Sequence, residues 1–191
     1  MHPVVQPNDV LKFWFDDDGA RFRRAWFERN DMFDADCRAR FAETLGAACR
    51  GELDHWQGTA DGTLALVIVL DQLSRNLHRD SPEAFAADAK ARNVARAALA
   101  SGIDRQLGPV QRIFLYLPFE HSEDRADQDL SVWLAETLRG TFPEADGSLD
   151  YARRHREVID RFGRFPHRNR TLGRISSAEE IAWLAAHPSG F

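Results

Sequence analysis

The chain has 191 residues, 43% of them apolar and 29% charged, with a formal net charge of −5. Those figures suit one domain with a buried core and exclude a disordered composition. They also exclude a broadly basic surface of the kind that binds nucleic acid, while leaving room for one local basic site.

The opening stretch "MHPVVQPNDV" has neither a basic n-region nor an apolar h-region, so no signal peptide is expected. Residues 1–8 read as a tail, and residues 9–191 read as a single all-α domain. In "NDVLKFWF", Asn8 or Asp9 offers an N-cap before Val10, Leu11, Trp14 and Phe15 at helical spacing. A short helix is expected over Ala20–Arg29. From Asp34 to Arg50, Cys37, Phe41, Leu45 and Ala48 follow one stripe, and Gly51 stands at the C′ position. Sharing that helix, Cys37 and Cys49 lie roughly 18 Å apart along its axis, too far to bridge. They read as free thiols, small core hydrophobes in a reducing compartment.

"LALVIVL", residues 64–70, is the longest apolar run and is far short of a membrane span. A cytoplasmic location with no membrane partner is the default expectation. The run has strand character, but no other segment could pair with it, so it predicts a buried helix from Thr63 to Leu77. In the next helix Ser81 caps, Pro82 takes N1, nine alanines between Pro82 and Ala100 imply close packing, and Gly102 stops it. Pro109 opens a helix through Leu117 that Pro118 closes. Ser122 is expected to cap a helix to Leu138, and Ser148 one that ends at Gly163. Ser177 with Glu180 forms a capping box for the last helix, with Pro188 beyond its end. About eight helices on short loops make an all-α domain.

Three polar clusters stand out. Asp71, Gln72, Arg75 and Asn76 follow the apolar run directly, so charges enter a buried depth where they need partners. Asp71 and Arg75 are spaced as an i,i+4 ion pair, which makes an internal bracket as good a reading as a ligand site. In "YLPFEHSED", capping and the helix dipole account for Ser122, Glu123 and Asp124. Glu120 and His121 are left over, either an acid/base pair or a hydrogen-bond bracket. The third cluster is "RFGRFPHRNR", residues 161–170, with no carboxylate in ten positions. Phe162 and Phe165 would anchor it, Arg164 and Arg168 would join Arg75 in clamping an anion, and Asn169 with Asn76 would orient it, with Asp71, Gln72, His155 and His167 as further ligand-binding candidates. The competing reading has these arginines answering the protein's own acids. His155 interrupts the apolar face of Tyr151, Val158, Ile159 and Phe162, where a satisfied core histidine is the ordinary outcome and a ligand role the rarer one.

No metalloprotease, C-x-x-C, nucleophile-elbow, P-loop or dinucleotide motif is present, and the cofactor is unknown from the sequence. A metal site would have to be gathered from Glu120, His121, His155 and His167.

"LALVIVLDQLSRN", "FLYLPFEHSED" and "HREVIDRFGRFPHRN" with a following "LGR" resemble the signature blocks of the bacterial family catalogued as domain of unknown function 924. "VLKFWF" and the pair Trp26–Phe27 match its N-terminal pattern, so the resemblance runs from about Asp9 to the C-terminus. In "DQLSRN" the chain departs from the family, whose members usually carry an aromatic and a proline ahead of the arginine. The resemblance implies a tetratricopeptide-like stack of helical hairpins and no activity. The residues thus nominate a polar site for a small anionic ligand, with Glu120 and His121 as the catalytic candidates. The alternative is a peptide- or protein-binding scaffold without catalysis.

Overall fold

The computed structural model describes residues 3–15 and 22–187, and all regular structure among them is helical. The chain divides into two compact units, Met1–Arg79 with Glu83–Pro118, and Asp80–Pro82 with Phe119–Phe191. No helix among the described residues is long and apolar enough to cross a membrane.

The first unit is organised by the apolar run. It forms a buried helix, as its lack of a partner strand predicts: α3 (Ala60–Val67), a π-helical stretch (Ile68–Leu73) and α4 (Ser74–Leu77) run on without a break. Residues 62–74 are buried on every face, the signature of a central rod. Around it pack α1 (Pro7–Phe15), α2 (Asp31–Arg50) and α5 (Asp88–Ser101). Thr59 caps the rod by accepting the Gly62 N–H. Gly62 is required there, since a Cβ would stand 2.2 Å from the Trp56 carbonyl oxygen. An aromatic group of Trp14, Phe15, Trp26 and Phe114 closes the far end of α1, with Trp26 Nε1 donating to the Trp14 carbonyl at 2.7 Å.

The second unit is built on a hairpin of α7 (Arg125–Thr137) and α8 (Ala145–Phe162). Gly163 ends α8 in the left-handed conformation at φ 67°, and a 3-10 turn at Pro166–Arg168 leads towards α9 (Ala178–Ala186). Val158, Ile159, Phe165 and Trp183 form its core, with Phe162 and Leu184 packed against them. Phe162 and Phe165 are therefore anchors. The Ser177–Glu180 capping box is present in full.

Several boundaries differ from expectation for physical reasons. α1 begins at Pro7, because Pro suits a first turn and Asp9 caps backwards onto the Gln6 N–H at 3.0 Å. Val5 N–H donates to Thr44 Oγ1, which ties that residue to α2. Asn30, not a residue near Asp34, caps α2. Of the helix expected over Ala20–Arg29, the described residues form only a 3-10 turn at Arg24–Phe27 with irregular chain on either side; residues 20 and 21 lie outside the described residues, as does Pro188. Pro82 opens a 3-10 turn rather than α5. Pro118 does not close α6 (Pro109–Glu120), which continues for two residues. Asp124 caps α7 in place of Ser122, whose hydroxyl instead donates to Asp127 Oδ2 at 2.7 Å. α8 starts three residues before Ser148. The two cysteines are free thiols, but Cys49 is exposed and only Cys37 is a core residue.

Candidate functional site

The first polar cluster lies on the rod where its turn widens. In an α-helix consecutive side chains diverge, yet Asp71 and Gln72 are both buried here and Gln72 Nε2 donates to Asp71 Oδ2 at 2.6 Å. Single π-turns inside α-helices recur at functional positions. The i,i+4 pair forms, with Arg75 3.1 Å from Asp71 Oδ1. Arg75 also donates to Asp88 Oδ2 at 3.1 Å and lies over the Phe85 ring. Burial alone would lower the Arg75 pKa, but Asp71 and Asp88 outweigh it and raise it. Asn76 donates to Asp34 Oδ1 at 2.7 Å beside the Arg79 fork. Burial pushes Asp34 up, and Arg79 with Asn76 more than reverse that push. Arg75 and Asn76 thus hold the protein's own acids, the bracket weighed against a ligand role.

In the second unit, the corner after α6 is held by one amide. Gln128 Nε2 donates to the carbonyls of Glu120 and Ser122, each at 2.7 Å. Glu123 then ties the corner to the arginine-rich stretch, accepting the Phe165 N–H at 2.8 Å and the Arg174 fork at 2.8 and 3.0 Å. Burial would raise Glu123, but Arg174 and the Phe165 N–H hold it below its ordinary value. This tie assembles a histidine corner. Glu120 Oε1 lies 3.4 Å from His155 Nδ1, and the His121 and His155 rings are 6.3 Å apart. The imidazole paired with Glu120 at that distance is His155, not only the neighbouring His121 considered from the sequence. Phe165 meets His155 edge-on and the His167 ring at a tilt, and the Arg168 guanidinium lies 4.5 Å over the Phe165 ring.

His155 Nδ1 faces the Tyr151 carbonyl at 2.9 Å, which places the ring proton on that nitrogen. Burial first, then His121, push its pKa down to about 3. It is a neutral imidazole near pH 7, so its contact with Glu120 is a polar contact rather than an ion pair. His167 is exposed by surface area; enclosure of its ring and the Arg168 charge still lower its pKa.

The remaining members of the decapeptide divide. Arg164 meets both oxygens of Glu180 at 2.7 and 2.8 Å, and Arg161 meets Glu179 at 2.7 Å, so both answer internal acids. Asn169 donates to Ser176 Oγ at 3.0 Å, while its buried Oδ1 has no hydrogen-bond partner among the described residues. Sequence reasoning missed Gln128, Asp34, Asp88 and Arg174, saw Glu180 only as a capping residue, and saw Glu123 as a first-turn acid and as one of the acids that the decapeptide arginines could answer. Among the described residues, no group of three or more His, Cys, Asp and Glu is placed to hold a metal ion.

A cavity of about 430 Å³ opens elsewhere, in the first unit, and none of the nominated residues lines it.

A solved structure, "Structure of Protein of Unknown Function ATU0120 from Agrobacterium tumefaciens", is similar to this chain at 37% identity and a TM-score of 0.83. The similarity covers 93% of this chain and 96% of that one. The curated proteins contain no match. A family model described as bacterial protein of unknown function (DUF924) matches residues 10–187, which include all three polar blocks. The chain belongs to that family.

Proposed function

We propose that the histidine corner of the second unit binds a small anionic ligand. The observation that supports this reading is the gathering, from three stretches of chain, of Glu120 and His121 beside His155 and of His155, His167 and Arg168 against Phe165. A buried arginine beside neutral imidazoles supplies one positive charge and several orientable polar atoms, a combination suited to carboxylate or phosphate oxygen. His121 and His167 retain solvent-accessible surface and form the entry. If the site is catalytic, Glu120 with His121 supplies the acid/base capacity, because His155 is held neutral with Nδ1 turned to Tyr151.

The test is a histidine-ring NMR titration with inorganic phosphate, succinate and a sugar phosphate, repeated on His167→Ala. At least one of these anions should move the His121 and His167 ring signals saturably, and His167→Ala should weaken that response about tenfold. If none of the three moves either signal at millimolar concentration, the reading fails.

A further inference from the structure

We infer that the first unit carries a second binding site, for a monocarboxylate with a short apolar tail. This is independent of the histidine corner. The cavity of about 430 Å³ lies along α2, the C-terminal end of α4 and the segment around residues 83–87. Its size is that of a small-molecule pocket, and such pockets are mainly apolar with a few placed polar groups. Leu45, Leu77 and Ala87 supply the apolar lining, and Ala42 and Gly46 leave the space open.

Gly46 has a particular bearing on this. Glycine inside a helix is unfavourable relative to alanine. A Cβ at Gly46 would meet only the movable tip of Arg50, at 3.1 Å. Close packing therefore does not demand glycine there. Its effect in the structure is to keep the cavity from being filled by its own wall.

The polar groups give the ligand its class. Arg38 lines the cavity and donates through Nε and one terminal nitrogen to the Leu77 carbonyl, at 3.2 and 2.7 Å. Those bonds fix the guanidinium plane, and among the described residues Arg38 has no carboxylate partner. The outer guanidinium nitrogen is thus pre-oriented for a carboxylate, which Arg recognises by its fork. His78 lies beside it on the lining, with no side-chain partner among the described residues. Glu83 on the lining disfavours a second negative charge, so a monoanion fits better than a dianion.

Cys49 also lines the cavity and reports on it. Cys37 is fully buried, with its thiol pushed up to about 12 by burial and by Asp34, so Cys49 is the accessible thiol of the native protein. The experiment measures modification of Cys49 by N-ethylmaleimide in the full chain, with octanoate, octylamine or no addition. Octanoate should slow the reaction at least fivefold, and octylamine should slow it less than twofold. Gly46→Leu fills the cavity without touching Arg38 and should abolish octanoate protection while the protein stays folded by circular dichroism. Arg38→Met should weaken octanoate at least tenfold. Equal protection by octylamine, no protection by millimolar octanoate, or full octanoate protection in Gly46→Leu overturns the inference. Arg38→Met binding octanoate as tightly as the parent overturns the carboxylate assignment and with it the proposal.

Discussion

Arg164 holds the C-terminal helix through Glu180, and deleting its fork tests that contribution together with a 2.9 Å bond to the Ile175 carbonyl. Arg164→Met keeps the aliphatic stem and removes the two bonds to Glu180 at 2.7 and 2.8 Å. The Glu180 side chain is only 3% exposed, so the variant leaves an enclosed carboxylate supported chiefly by the Ser177 N–H. Breaking one side of a buried pair costs about 3–5 kcal/mol. The Arg164 side chain is 32% exposed, which puts solvent beside the pair and reduces the expected loss to about 2–3 kcal/mol. The same pair governs the acid response. Hydrogen bonding from Arg164 holds the Glu180 carboxyl at about 2, against an ordinary 4.5. The folded state therefore takes up that proton less readily than the unfolded chain. Its stability is present above pH 4.5 and is lost as pH falls towards 2. Urea unfolding followed by tryptophan fluorescence at pH 7 and pH 3 reads both effects, since Trp183 packs on Phe162 in the same core. Arg164→Met should lower stability at pH 7 and lose less on going to pH 3 than the parent does. The Arg164→Met/Glu180→Gln double variant should recover about 1 kcal/mol or more of the loss. A loss under about 0.5 kcal/mol with zero coupling would refute this account and leave α9 held by apolar packing alone.

Three further outcomes follow from buried groups. His155, held at about 3 by burial and His121, gives stability that is full above pH 6.5 and falls as pH drops, by at most about 1.4 kcal/mol per pH unit. His155→Asn keeps a donor for the Tyr151 carbonyl and should flatten the stability curve between pH 6.5 and 5, above the range of ordinary carboxylates; an unchanged slope there counts against the assignment. Gln128→Ala strips the donor from the Glu120 and Ser122 carbonyls and should cost about 2–3 kcal/mol in urea unfolding, and a change below about 0.5 would show the corner to be held by other contacts. Gly62→Ala drives a methyl against the Trp56 carbonyl and should cost about 1–3 kcal/mol, whereas Gly46→Ala, with only the Arg50 tip nearby, should be neutral or stabilising; equal effects at the two glycines would contradict the steric reading.

What could be read from the chain, and what could not, separates by distance along it. Helix ends are local events, and the capping box at Ser177 and the left-handed glycines at 51, 102 and 163 appear where their spacing predicts. The misplaced starts at Ser122 and Ser148 are also local. Asp124 stands two residues past Ser122 and offers a charged acceptor to the same orphan N–H groups, while Ser148 sits inside a helix that has already begun at Ala145. The all-α fold was legible because the one strand-like run had no partner. Of the polar partners only the local i,i+4 pair of Asp71 and Arg75 was legible, and the distant ones were not. Asn76 finds Asp34 across 42 positions, and Arg174 finds Glu123 across 51. Thirty acids compete for each base, and no periodicity selects among them.

This division shapes how the arginine-rich stretch should be dissected. Burial of Phe165 at its centre forces the residues on either side of it to different work. Arg161 and Arg164, before the turn, reach Glu179 and Glu180 at the start of α9, so they act on the frame. His167 and Arg168, within the turn, lie against the Phe165 ring at the histidine corner. Glu123 binds the Phe165 N–H itself and so fixes the point where the two halves part. A ten-residue run of one charge therefore need not be one functional patch. Its net charge is shared between holding a helix in place and presenting a polar corner, and variants at His167 and Arg168 report on the latter, since Asn169 is tied to Ser176 beside the α9 cap.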